Sequence, residues 1–173
     1  MTVQEAVKGR RSVRRFLEKQ VSDDAVGLLK EALRWAPSAG NLQARKFYFV
    51  FCEELRVKIA NHCFGQMFIQ EAPLVVVACG DLSRISPYGK RGRELYVIQD
   101  VAAAVENLML QAHELGLGSV WVGAFDEAGV AKTLDMPDSL RPLAVVPVGW
   151  PGHKPIAPKR DLADEAVSVI KGA

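Results

Sequence analysis

The stretch from Glu94 to Leu115 constrains the fold more than any other. Val97, Val101, Val105, Leu108, Ala112 and Leu115 recur there at helical spacing, and Ala102, Ala103, Ala104 and Met109 widen the stripe. A helix of that length spans about 30 Å at 1.5 Å per residue. So little of its circumference is strongly polar that it must be buried centrally or against a second subunit. Asp100, Glu106 and Asn107 argue against a membrane span, and no segment supplies about 18 uninterrupted apolar residues. Met1 to Glu5 lacks the apolar run of a signal peptide, so a soluble, cytoplasmic protein is expected.

The other elements must pack around this helix. Leu74 to Cys79 is a continuous apolar run, the signature of a strand buried on both faces. Phe47 to Phe51, Ser119 to Phe125 and Leu143 to Gly149 also read as strands, with Pro147 pointing to an edge or bulge. Thr2 with Glu5 has the form of a capping box for a helix from about residue 3 to Lys8, ending near Gly9. Ser22-Asp23-Asp24 opens a second helix that Pro37 closes. Residues 53 to 70 read as helical pieces broken near Gly65, and Asp126 caps a short helix through Leu134. Asp81 to Arg93 has no hydrophobic period and reads as a mobile loop, the tail from Pro151 as extended, and a last helix begins near Asp161. No repeat or linker interrupts the 173 residues, so one domain over 1–173 is expected, of α+β class, with a mixed, mainly antiparallel sheet flanked by helices.

The candidate chemistry begins at Arg10-Arg11-Ser12-Val13-Arg14, after the first helix. Guanidinium forks match phosphate oxygens two at a time, and Ser12 adds a compact donor. On its own the stretch is equally a solvated basic turn. The net charge of +2 excludes the bulk excess of a dedicated nucleic-acid binder, so any basic function is local. Pro37-Ser38-Ala39-Gly40-Asn41 can approach a flat ligand closely, though an ordinary helix-to-strand connection uses the same residues. The three cysteines, Cys52, Cys63 and Cys79, lack CxxC spacing and read as buried reduced thiols. His62, His113 and His153 are not spaced as metal ligands, and HExxH, Walker A and GxSxG are absent. A chain with an anion clamp and no acid–base or nucleophile triad suits an organic cofactor that carries the chemistry itself.

Four motifs in order then resemble the FMN-dependent nitroreductase family: Arg10 to Arg14, Ala36 to Gln43, Gln99-Asp100 with Asn107, and Gly116 to Asp126. The similarity runs from Arg10 to Arg160. It implies a homodimer with the long helix at its interface and two FMN sites, each lined by both chains. It also implies hydride transfer from NADH or NADPH through FMN to a small acceptor such as a nitroaromatic or quinone, with ping-pong kinetics. Other readings on the same fold are an oxidoreductase of one defined metabolite and a non-catalytic FMN-binding redox sensor. By position, Arg10, Ser12 and Arg14 would hold the FMN phosphate, ribityl chain and pyrimidine edge, with Arg11 at the phosphate and Lys159 and Arg160 as a second basic pair. Ser38, Ala39 and Asn41 would reach the flavin from the partner subunit. Val122, Gly123 and Ala124 would lie along the ring with the Gly123 amide toward N5, and Gln66 would touch the ring. After Gln43 the family commonly continues Pro-Trp, whereas this chain has Ala44-Arg45.

Overall fold

The computed structural model describes residues 1–172; Ala173, at the end of the expected 1–173 domain, lies outside the described residues. Thr2 and Glu5 exchange the two hydrogen bonds of a capping box (3.2 and 2.7 Å) and start α1 (Val3–Gly9). The Ser22 hydroxyl accepts the Ala25 amide and starts α2 (Asp23–Arg34), which buries Val26, Leu29 and Leu33. Then follow β1 (Arg45–Val50), α3 (Glu53–Asn61), α4 (Phe68–Glu71) and β2 (Leu74–Asp81). Gly65, at φ 81°, breaks the helical stretch between α3 and α4 by taking a backbone form that side chains resist.

The polar stretch after Asp81 is more regular than its sequence predicts. It forms a 3-10 turn (Ser86–Tyr88), a helical turn α5 (Gly89–Arg91) and a π-helical turn (Gly92–Tyr96) leading into α6 (Val97–Glu114). Gly92 permits this, since a Cβ there would stand 2.7 Å from the Tyr88 Cβ and 2.8 Å from the Ile85 carbonyl oxygen. Beyond α6 lie β3 (Gly118–Ser119), α7 (Glu127–Thr133) capped by Asp126, β4 (Leu140–Gly149) and α8 (Ala163–Ala166). The last helix is thus one turn, and Leu162, Val169 and Ile170 beside it are exposed.

The strands pair antiparallel in the order β1-β2-β4-β3, and among the described residues a parallel component enters only through the isolated bridge between Ser12 and Ser119. Leu74, Val76 and Ala78 join the cluster under α2 and α6, while Val75, Val77 and Cys79 join the cluster under α3 and α7. Both faces of β2 are therefore covered, which is why its sequence shows no alternation. Burial pushes the Cys63 and Cys79 thiols up to about 12, but Cys52, expected to be buried with them, is exposed because it lies past the end of β1, at the cap of α3.

Pro147 sits in a strand paired on both sides, and the ladder makes room for it. Val145 donates to the Val122 carbonyl at 3.0 Å, so position 147 faces the same neighbour. There the pairing skips from Ser119 to Val122, so the ladder has no paired residue opposite position 147. The bulge lies elsewhere, between Ala78 and Cys79, beside Pro142. Among the described residues no helix is long and apolar enough to cross a membrane.

Candidate functional site: an arginine cleft between the chain ends

The extended segment after α1 lies between β3 and the exit of β4. Val13 donates to the Ser119 carbonyl at 3.0 Å, Leu17 to the Trp150 carbonyl at 2.9 Å, and Gly152 to the Arg15 carbonyl at 2.7 Å. Val13 and Phe16 are buried while Ser12, Arg14 and Arg15 are exposed, a spacing of three that follows from the separate seats of Val13 on Ser119 and of Phe16 beside Pro151 rather than from strand alternation. The seat needs Gly118, because a Cβ there would stand 2.7 Å from the Val13 Cβ. Gly9 likewise makes way for His113, whose Nε2 would lie 2.6 Å from an added Cβ.

Two adjoining clefts open along this segment. A smaller one of about 250 Å³ is lined by Arg10, Arg11, Ser12, Arg14, Arg160 and a proline-rich part of the tail. A larger one of about 630 Å³ shares Arg10 and Arg11 and is walled by Gly9, His113, Gly118 and His153. The two chain ends therefore meet, as the arginine-clamp reading requires. Arg160 reaches the cleft, whereas Lys159 is exposed and is not among its lining residues.

Four guanidinium groups line the smaller cleft, and among the described residues no carboxylate does. Arg11 is partly occupied: its Nη1 donates to the Lys8 carbonyl at 2.6 Å and the Arg10 carbonyl at 2.8 Å, closing the end of α1. The Arg10 Nε stands 3.8 Å from Glu106 Oε1, and the Arg10 Nη1 is buried without an acceptor among the described residues. A buried, unsatisfied guanidinium nitrogen is costly, and an anion's oxygen would relieve it. The residues present thus fit the phosphate of FMN.

Beyond β3 the chain continues through residues 120–124, none of which lines either cleft. Val122 exchanges both backbone hydrogen bonds with Val145 (2.9 and 3.0 Å), and its side chain is buried in the core. Only its backbone therefore lies along the surface that Gly123 and Ala124 expose. The Gly123 amide has no acceptor among the described residues. Gln66 is brought to this segment: its Nε2 donates to the Ala124 and Cys63 carbonyls, each at 3.1 Å.

Ser38, Ala39 and Asn41 lie elsewhere. They form a 3-10 turn at the other end of α6, where the Asp100 carboxylate accepts the Ala39 amide at 2.9 Å. From Asp100 to His113, at the larger cleft, a rise of 1.5 Å per residue gives about 20 Å. One chain therefore does not join the 38–41 loop to its own arginine cleft. Gly9, His113 and His153 carry no local motif, so the wall they form becomes visible only in three dimensions.

A family model described as the Nitroreductase family matches residues 7–81 and 64–150. A protein from Methanothermobacter thermautotrophicus, named as a candidate NADH dehydrogenase/NAD(P)H nitroreductase, is 32% identical over 169 residues, spanning 95% of this chain and 84% of that protein. An FMN reductase [NAD(P)H] from Bacillus subtilis is 27% identical across 91% of this chain and 69% of its own length. The crystal structure of a candidate NADH dehydrogenase/NAD(P)H nitroreductase from Parabacteroides distasonis superposes with a TM-score of 0.84 at 28% identity, covering 96% of each chain.

Proposed function

This chain belongs to the nitroreductase family, and on that premise we propose that it is an NAD(P)H-dependent flavin oxidoreductase. Its cofactor in this reading is FMN, and its electron acceptor is a small molecule such as a nitroaromatic or quinone. One observation carries the reading: both chain ends converge on Arg10, Arg11, Arg14 and Arg160, where the buried Arg10 Nη1 lacks an acceptor among the described residues. The FMN reductase among the relatives supports the choice of flavin.

When bound, FMN would supply uptake and release of hydride; the chain's work is to bind, orient and tune. Arg10, Ser12 and Arg14 would hold the phosphate, ribityl chain and pyrimidine edge, with Arg11 at the phosphate and Arg160 as the basic group supplied by the tail, Lys159 standing outside the cleft. The Gly123 amide, with no acceptor among the described residues, serves N5. Gln66 acts on the same stretch through the Ala124 carbonyl, fixing the strand exit along the ring. Gly123 and Ala124 are exposed; in this reading NADH or NADPH and then the acceptor would use that surface in turn, with ping-pong kinetics.

The reading includes a single-domain, cytoplasmic homodimer. Because Ser38, Ala39 and Asn41 stand about 20 Å along α6 from their own chain's cleft, they serve the site of a second copy. Trp35 is 74% exposed and Ile156 93% exposed, apolar surface that such a partner would cover.

The test is the visible spectrum of the purified protein, followed by anaerobic NADH or NADPH. A yellow protein that one nucleotide bleaches is expected. A colourless protein that fails to take up added FMN would overturn the proposal.

A further inference from the structure

The 38–43 loop is held from outside by two charged side chains, the half-buried Arg45 and the buried Asp100, that spend their hydrogen bonds on the backbone of the loop and its entry. Gly40, Asn41 and Gln43 all adopt positive φ (54°, 53° and 51°), so the loop follows a path that side chains resist. Its internal bonds are short-range: Asn41 and Leu42 donate to the Ser38 and Ala39 carbonyls, and the Gln43 amide to the Ser38 hydroxyl, each at 3.0 Å. None of these fixes where the loop stands on the sheet and α6.

That task falls to Arg45 and Asp100. The Arg45 Nη2 donates to the Ala36 carbonyl at 2.6 Å and the Arg34 carbonyl at 3.3 Å, taking up acceptors that the end of α2 leaves open. Its Nη1 donates to the Pro37 carbonyl at 2.9 Å and to the Asp100 carbonyl on α6 at 3.3 Å. One planar guanidinium from β1 therefore ties α2, the loop entry and α6 together. From the other side, Asp100 Oδ1 accepts the Ala39 amide, while Oδ2 is buried without a partner among the described residues, in a side chain only 5% exposed.

A buried carboxylate with one oxygen unpaired is a poor source of net stability. What it secures is the location of one amide. We propose that Arg45 and Asp100 form a latch that positions the Ser38–Gln43 loop for the cofactor, making both of them positioning residues of the FMN site. The role rests on the flavin reading above. Burial pulls the Arg45 guanidinium below its ordinary value while the Asp100 carboxylate pushes it back up.

The experiment compares wild-type protein with Arg45→Met, Arg45→Lys, Asp100→Ala and Asp100→Asn. FMN affinity is read by quenching of flavin fluorescence, the spectrum of bound flavin at saturating FMN, and amide hydrogen exchange at Ala39 and Gln43 in the apoprotein. Arg45→Met and Asp100→Ala should bind FMN roughly tenfold more weakly, the loss from one misplaced charge-assisted hydrogen bond. They should also exchange faster at both amides and shift the flavin absorption envelope, a change that mere loss of stability does not cause. Arg45→Lys and Asp100→Asn should recover part of the affinity, and they decide the question where the harsher variants fail to fold. Unchanged FMN affinity and spectrum in every folded variant, with a wild type that binds FMN, would overturn the latch alone. A wild type that binds no FMN would overturn the flavin reading and this role with it.

Discussion

Replacing Arg10 by Met should move two observables in opposite directions. In the apoprotein the Arg10 side chain is 18% exposed, its Nη1 is buried without an acceptor, and its only carboxylate contact among the described residues is Glu106 at 3.8 Å. Met keeps most of the packed stem and removes the orphaned donor, whose burial costs about 1–3 kcal/mol. The lost pairing with Glu106, itself half exposed, is worth about 0–1 kcal/mol. The apoprotein should therefore be as stable as wild type or up to about 3 kcal/mol more so, a rise in Tm of up to about 12 °C. FMN binding loses a hydrogen bond to a charged group, about 1.5–3 kcal/mol, so Kd rises roughly 10- to 150-fold. Differential scanning calorimetry of the apoprotein and an FMN titration measure the two effects separately. A clear fall in apoprotein Tm with an unchanged Kd would show that Arg10 is a packing residue and no part of a phosphate clamp.

Two further substitutions test the local geometry. Gly40→Ala should lower stability by about 1–3 kcal/mol in denaturant unfolding, because the position has φ +54° and an added Cβ meets the Tyr88 hydroxyl. Tyr88→Phe in the same chain should return part of that loss, and an unchanged midpoint for Gly40→Ala would contradict the close approach of the two loops. Glu127 accepts twice from Arg141 (2.8 and 2.9 Å), and this pairing holds its carboxyl below the ordinary 4.5. A carboxyl lowered in the folded state adds stability above its unfolded pKa and loses it as pH falls through the folded one. Both side chains are over two-fifths exposed, so Glu127→Gln should cost only about 0.2–1 kcal/mol at pH 7. The difference from wild type should shrink below pH 4.5, and a constant difference down to strong acid would refute the pairing.

What the sequence made legible was whatever depends on near neighbours. The Thr2–Glu5 box, the Ser22 and Asp126 caps and the unbroken apolar run of β2 each follow from a few adjacent residues, and each stands as expected. The stretch 119–125 was harder, because its pairing with β4 is interrupted: β3 has two residues, then Val122 bridges to Val145. The turns between Asp81 and Val97 escaped because they depend on Gly92 fitting against Tyr88 and Ile85, which no periodicity encodes. At the site, the arginines and Arg160 were visible as residue types, and their meeting at one cleft could be reasoned from both ends of the chain. Arg45 showed only as a departure after Gln43. Its four carbonyl partners lie on α2, the loop and α6, and that relation exists only once those elements have packed.

The position of β4 also sets the order in which the chain can assemble as it is made. A ribosome delivers β1, β2 and β3 well before residues 140–149, yet β4 is the strand that joins β2 to β3. Until it emerges, β3 has no strand to pair with, and Ser119 cannot offer Val13 a fixed carbonyl. Phe16 and Leu17 wait still longer, for Trp150 and Pro151. The arginine segment is thus made before every strand that seats it, a delay that pairing across most of these residues imposes. A message truncated before codon 140 would still encode Arg10, Arg11 and Arg14, but nothing to lay them against.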